Sequence, residues 1–85
     1  MELRQLRYFL RTAETLSFSE AARRLHISQS TLSQQIRQLE QELDVRLFVR
    51  DSHRVSLTDA GMQLCHMAER TLLAAEECRQ QMEDI

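Results

Sequence analysis

Apolar residues recur with helical spacing in three short stretches and one long one. Leu3, Leu6, Phe9, Leu10 and Ala13 fall at three- and four-residue steps, while Arg4, Arg7, Arg11 and Glu14 lie mainly elsewhere, so a first helix is predicted over 3–16. Ser17-Phe18-Ser19 interrupts that stripe. Either serine can cap a second helix, and Ser17 with Glu20 three residues on fits a capping box. Ala21, Ala22 and Leu25 form its apolar edge over about 18–25, and adjacent alanines permit close approach of another helix. Ser28 supplies the next N-cap, and Leu32, Ile36, Leu39 and Leu43 step by four, three and four along a third helix over about 29–42. No glycine or proline separates the second helix from the third. Ile27 can plug the angle between them, so the turn is expected to be set by packing.

After Asp44 the period changes. Val45–Arg50 and Arg54–Leu57 are short β-prone runs around Asp51-Ser52-His53, which predicts a small hairpin. A lone hairpin is marginal in water, so it must pack on the helices. Thr58 as N-cap and Asp59 in the first turn open about 25 residues without proline, read as one long helix ending near Ile85. Cys65, Ala68, Leu72, Ala75 and Met82 follow at intervals of 3, 4, 3 and 7, a coiled-coil-like seam with Arg79 at its skipped position. Such a helix of roughly 28 residues is about 42 Å long. Only its start can lie on so small a body, so the rest is expected to need a partner. Arg79 is expected to snorkel, or to pair with Glu76 or Glu83 across a dimer.

At 85 residues there is room for one modest core, since chains this small bury only about 60–65% of their unfolded surface. A hydrophobic content of 42% argues against disorder. The longest apolar runs are four residues, too short to span a membrane, and MELRQLRYFL lacks the apolar run of a signal peptide, which points to the cytoplasm. The net charge of −2 is unevenly distributed: residues 1–58 carry nine Arg and seven acids (+2), residues 59–85 two Arg and six acids (−4). There is no Lys. Arg pairs bidentately with phosphate or guanine, although a coding bias explains its exclusive use equally well. Cys65 and Cys78, about 20 Å apart along one helix, cannot bridge within a chain and are read as buried or seam-packed thiols; an interchain or redox role is the alternative. No Cys/His spacing suggests zinc. His26, His53 and His66 lie at unrelated spacings, Gly61 is the only glycine, and Glu40, Glu42 and Asp44 read as a solvated helix end. An enzyme is therefore a poor reading, and no metal or cofactor is implied.

Two helices joined by a tight turn can place the second in the DNA major groove, where its first residues reach base edges. Gln29, Ser30, Thr31, Ser33 and Gln34 form a short-armed face rich in donors and acceptors, and Gln pairs well with adenine. The same face also fits a solvated helix surface. Ser28 and Arg37 lie where the backbone would pass, and free N–H groups at a helix start attract phosphate. Arg50 and Arg54 flank the hairpin tip beside His53, where a wing can set guanidinium groups against the backbone or minor groove. Surface ion pairs with Asp51 and Asp44 are the bland alternative. Arg23 and Arg24 fit a phosphate clamp or two solvated residues equally well.

The order LRYFL, SFSEAARRLHISQSTLSQQIRQLEQELDVRLFVR, LTDAG resembles the N-terminal DNA-binding domain of LysR-type transcriptional regulators over nearly the whole chain. The resemblance implies a mainly α fold: a winged helix-turn-helix of three helices plus a small β-hairpin wing at about 46–57, followed by a long linker and dimerisation helix. It implies a DNA-binding domain at 1–58 and a dimer arm at 59–85, with the effector domain absent from this chain. It places Gln29, Ser30, Thr31, Ser33 and Gln34 in the major groove of double-stranded DNA, and Arg50, His53 and Arg54 in the wing. A homodimer would read an interrupted inverted repeat, and a small-molecule inducer is expected only for the missing effector domain. The sequence departs from the family at three positions: members often have Pro at Ser30, Arg at Gln34 and Gly at Asp44. Two other readings compete: a protein-interaction module using the same helices, and an isolated dimerisation domain.

Overall fold

Ser17, Ser28 and Thr58 each start a helix in the computed structural model, which describes residues 1–85. The elements run α1 (Leu3–Thr15), α2 (Phe18–Leu25), α3 (Gln29–Leu43), β1 (Phe48–Arg50), β2 (Val55–Leu57) and α4 (Asp59–Glu83). The three hydroxyl oxygens accept the N–H groups of Glu20, Thr31 and Gly61 at 3.1, 3.0 and 3.0 Å. Each such cap contributes about 1 kcal/mol. The Ser17 cap forms as expected, but Glu20 turns to Arg23 and Arg24 instead of closing the box. At α1 the Glu2 N–H donates to the side-chain oxygen of Gln5 at 3.0 Å, which gives that buried amide a partner.

The helix ends carry the unusual backbone. Leu16, His26 and Asp44 sit in the left-handed region at φ 50, 59 and 56°, where glycine is the common choice. Each costs roughly 1–2 kcal/mol for a side-chain-bearing residue. The cost is offset by closure and burial. The Ile27 N–H donates to the Ala22 carbonyl at 3.0 Å and the Val45 N–H to that of Glu40 at 3.2 Å, while Ile27 packs on the core. The α2–α3 turn is thus held by packing, as the sequence suggests.

The core gathers Leu6 and Phe9 of α1, Ala21 and Ala22 of α2, and Leu32, Ile36 and Leu39 of α3. Ala21 is fully covered, as expected for two helices in close approach. Phe48 closes this core from the hairpin, its ring 5.4 Å from Phe9 and 5.5 Å from Phe18. The hairpin is antiparallel, with Phe48, Val49 and Arg50 facing Leu57, Ser56 and Val55. It is shorter than the sequence predicts. Val45–Leu47 stay outside the strand because the Val45 N–H closes α3 on the Glu40 carbonyl and the Leu47 N–H is diverted to the Glu40 carboxylate at 2.7 Å.

α4 lies on α1 through Ala68, only 1% exposed, with Leu64, Cys65 and Leu72 half-buried against the core. Three of the five expected seam residues are engaged within the chain. Cys65, Ala68 and Leu72 pack on their own domain, Ala75 is half-buried and Met82 is 60% exposed. A stripe at three- and four-residue steps looks the same whether its partner belongs to the same chain or another. Arg79, expected to snorkel or to pair with Glu76 or Glu83 across a dimer, bonds both acids within its own helix. A second stripe faces outward beyond the core: Met67, Thr71, Ala74, Cys78, Gln81 and Ile85 alternate steps of four and three and are all exposed. Met67 is 48% and Ile85 97% exposed. No helix is long and apolar enough to cross a membrane.

Gly61 lets the first turn of α4 press on the hairpin. A Cβ there would fall onto the Leu47 carbonyl oxygen, with the Leu57 Cδ2 2.9 Å away. Gly61→Ala is expected to destabilise the fold by about 1–3 kcal/mol, the usual range for overpacking, read as a lower urea midpoint at unchanged slope.

Candidate nucleic-acid interface

The start of α3 combines a hydroxyl cluster with two free amides. Ser28 Oγ donates to Thr31 Oγ1 at 2.7 Å and lies 3.2 Å from Ser30 Oγ. Its hydroxyl therefore serves the cap, although the sequence suggested a backbone contact. Gln29 and Gln34 are exposed and their amides engage no other side chain. Ser33 differs: it is half-buried and its Oγ accepts a bond from Arg50 Nη2 at 3.1 Å. Arg37, one turn on, is exposed and makes no ion pair. The five expected reading residues thus share one helix start, but their side chains are not equally free.

The wing tip is closed by its own acid. Asp51 Oδ1 accepts the N–H groups of His53 at 2.8 Å and Arg54 at 2.9 Å, which folds the turn. Asp51 forms no ion pair with Arg50 or Arg54, so Arg54 and His53 project exposed. Arg50 points back instead. Its guanidinium carbon lies 3.4 Å from the centroid of the Phe18 ring. Loss of solvent, followed by the Arg37 charge, holds the Arg50 guanidinium below the ordinary arginine range. Between the starts of α2 and α3 and the wing runs a cleft of about 350 Å³, bringing together Ser17, Ser19, Gln29, Arg50, His53 and Arg54. Ser17 and Ser19 were read only as caps; their position on a helix start opposite the wing emerges only once the chain is folded.

Two acids behave unlike solvated charges. Glu20 holds Arg23 at 2.6 Å and Arg24 at 3.1 Å, and these hydrogen bonds, Arg23 first, lower the Glu20 carboxyl from its ordinary value. The clamp reading of Arg23 and Arg24 loses ground accordingly. Glu40, read as part of a solvated helix end, is only 15% exposed. Its Oε2 accepts the N–H groups of Leu47 at 2.7 Å and Phe48 at 3.4 Å, with Arg46 Nε 3.6 Å away. It ties α3 to the wing.

A family model described as bacterial regulatory helix-turn-helix protein, lysR family, matches residues 3–62. The HTH-type transcriptional activator IlvY of Salmonella typhimurium is 48% identical over 79 residues, covering 93% of this chain and 27% of that protein. The hca operon transcriptional activator HcaR of Escherichia coli K12 is 48% identical over 79 residues with the same coverage. The chain thus spans 27% of the length of these curated relatives. Among solved structures, the DNA complex of the CbnR DNA-binding domain matches with a TM-score of 0.95 and 37% identity, covering 99% of this chain and 97% of that one. The BenM domain on catB site 1 DNA matches with a TM-score of 0.93 and 39% identity, covering 100% and 94%.

Glu40→Ala is expected to leave two strand-entry N–H groups without their acceptor, at a cost of about 1–3 kcal/mol. Hydrogen exchange should then quicken first at Leu47 and Phe48, ahead of the helix cores.

Proposed function

The chain belongs to the lysR family of bacterial helix-turn-helix regulators, and on that footing we propose that it is the part of a transcription regulator that reads double-stranded DNA. The observation that carries this reading is the pair of unengaged amides, Gln29 and Gln34, at the start of α3, with unpaired Arg37 and Arg54 to either side. Residues 1–58 form the reading unit and 59–85 the arm. α3 enters the major groove with Gln29, Ser30, Thr31, Ser33 and Gln34 toward base edges. Arg37, His53 and Arg54 meet the phosphate backbone, and the Ser17 and Ser19 end of α2 offers N–H groups to a further phosphate. The chain acts by binding, without a catalytic step, and works where the chromosome is, in the cytoplasm. Any small-molecule inducer belongs to an effector domain outside this chain.

The arm pairs two copies through its outward stripe. Near its start the stripe borders a groove of about 240 Å³ lined by Leu43, Val45, Leu47, Ala60, Leu64 and Met67. Arg70 and Glu77 flank the stripe one heptad apart and make no ion pair within the chain. An antiparallel pairing brings Arg70 of each copy toward Glu77 of the other; a parallel one does not. Two reading helices related by a two-fold axis then face an interrupted inverted repeat.

A labelled inverted-repeat duplex, titrated beside a scrambled duplex at several salt concentrations, tests the reading. Preference for the repeat, with log affinity falling by about 0.9 per log salt for each neutralised phosphate, is expected; equal weak binding to both duplexes would count against it. Gln29→Ala is expected to relax base preference at one position by about 1–3 kcal/mol. Arg54→Ala should weaken all sequences alike and flatten the salt slope. Met67→Glu should shift sedimentation toward monomer without unfolding the domain, and an unchanged dimer would rule out the outward stripe.

A further inference from the structure

Three elements converge on one guanidinium. Arg50 is the last residue of β1, Phe18 the first of α2, and Ser33 lies in the second turn of α3. The Phe18 ring covers one face of the guanidinium at 3.4 Å, and Nη2 donates to Ser33 Oγ at 3.1 Å. Phe18 itself is buried against Phe48, the residue that begins the strand Arg50 ends. The wing and the helix pair are therefore locked at a site adjoining the reading face. A planar, delocalised cation can stack and donate at once; an ammonium cannot.

We propose that Arg50 is a positioning residue for DNA recognition: stacked on Phe18 and bonded to Ser33, it sets the wing against α3 and orients the Ser33 hydroxyl, rather than lending its charge to a phosphate. This rests on the DNA-reading function proposed above. A hydroxyl that already accepts a bond from a cation has its own proton left to offer, so Ser33 meets acceptor atoms such as guanine O6 or N7 or thymine O4. Arg54, with no such engagement, remains the wing's phosphate contact. The Arg37 and Arg46 charges oppose that of Arg50, with the Glu40 carboxylate favouring it.

The test compares the unmodified protein with Arg50→Lys, Arg50→Ala, Ser33→Ala and the Arg50→Lys/Ser33→Ala double variant on the repeat and scrambled duplexes across salt. Arg50→Lys and Ser33→Ala should each lower the preference ratio about tenfold, or roughly 1.4 kcal/mol, and the double variant should lose no more than either. Arg50→Ala should keep the salt slope of the unmodified protein. A slope flattened by about 0.9 per protomer, with the preference ratio intact, would make Arg50 a phosphate contact and overturn the proposal; so would additive losses in the double variant. In the free protein, the Phe18 ring current should move the Arg50 Nε–H proton upfield, and an ordinary shift there overturns the clamp whatever the DNA result. No preference even in the unmodified protein, with that proton displaced, would remove the DNA reading and leave the clamp as a purely structural contact.

Discussion

Glu40 stands where α3 gives way to the wing, and its Oε2 receives the N–H groups of Leu47 and Phe48 at 2.7 and 3.4 Å. Those two residues are the ones that reach back into the core, at 1% and 2% exposure. A charged acceptor roughly doubles the strength of such bonds, and more so where water is thin. Phe48 anchors the wing to the core. Its ring packs on Phe9 and Phe18, its strand delivers Arg50 to the Phe18 face, and the Leu47 carbonyl receives the start of α4. α3, the wing and α4 share one frame, and the Glu40 carboxylate bonds the chain at the point where they meet.

Much of this frame is legible in the sequence. α2 occupies the residues expected of it, and the caps at Ser17, Ser28 and Thr58 all form, because capping depends on residues three apart and needs no tertiary knowledge. The turn without glycine closes around Ile27 for the reason its apolar character suggests. The fold and family follow from spacing and residue order together. What escapes is whatever depends on contacts distant in sequence. Glu40 reads as solvent-facing because nothing local marks the strand it will receive. Arg50 resembles Arg54 in the chain but stacks inward, since Phe18 lies more than thirty residues earlier.

The arm shows the same limit from another side. Periodicity identifies a helix and its stripes, but not which stripe the chain itself covers. Cys65, Ala68 and Leu72 satisfy a seam pattern and pack on their own core, while the parallel stripe through Met67, Thr71, Ala74 and Cys78 stays outside. The burial of Ala68 settles the choice, and burial is a property of the assembled core.

The turns without glycine bear on how the chain reaches this state. Leu16, His26 and Asp44 hold left-handed backbone in the native protein, yet each restricts the unfolded chain more than glycine would. With one glycine and no proline in 85 residues, the unfolded ensemble is narrow and free of the slow isomerisation that X–Pro bonds impose. The three-helix unit is joined by turns of two or three residues, so its earliest contacts lie close along the chain, a topology that folds quickly. Strain at three helix ends thus accompanies a short search with no proline-limited step.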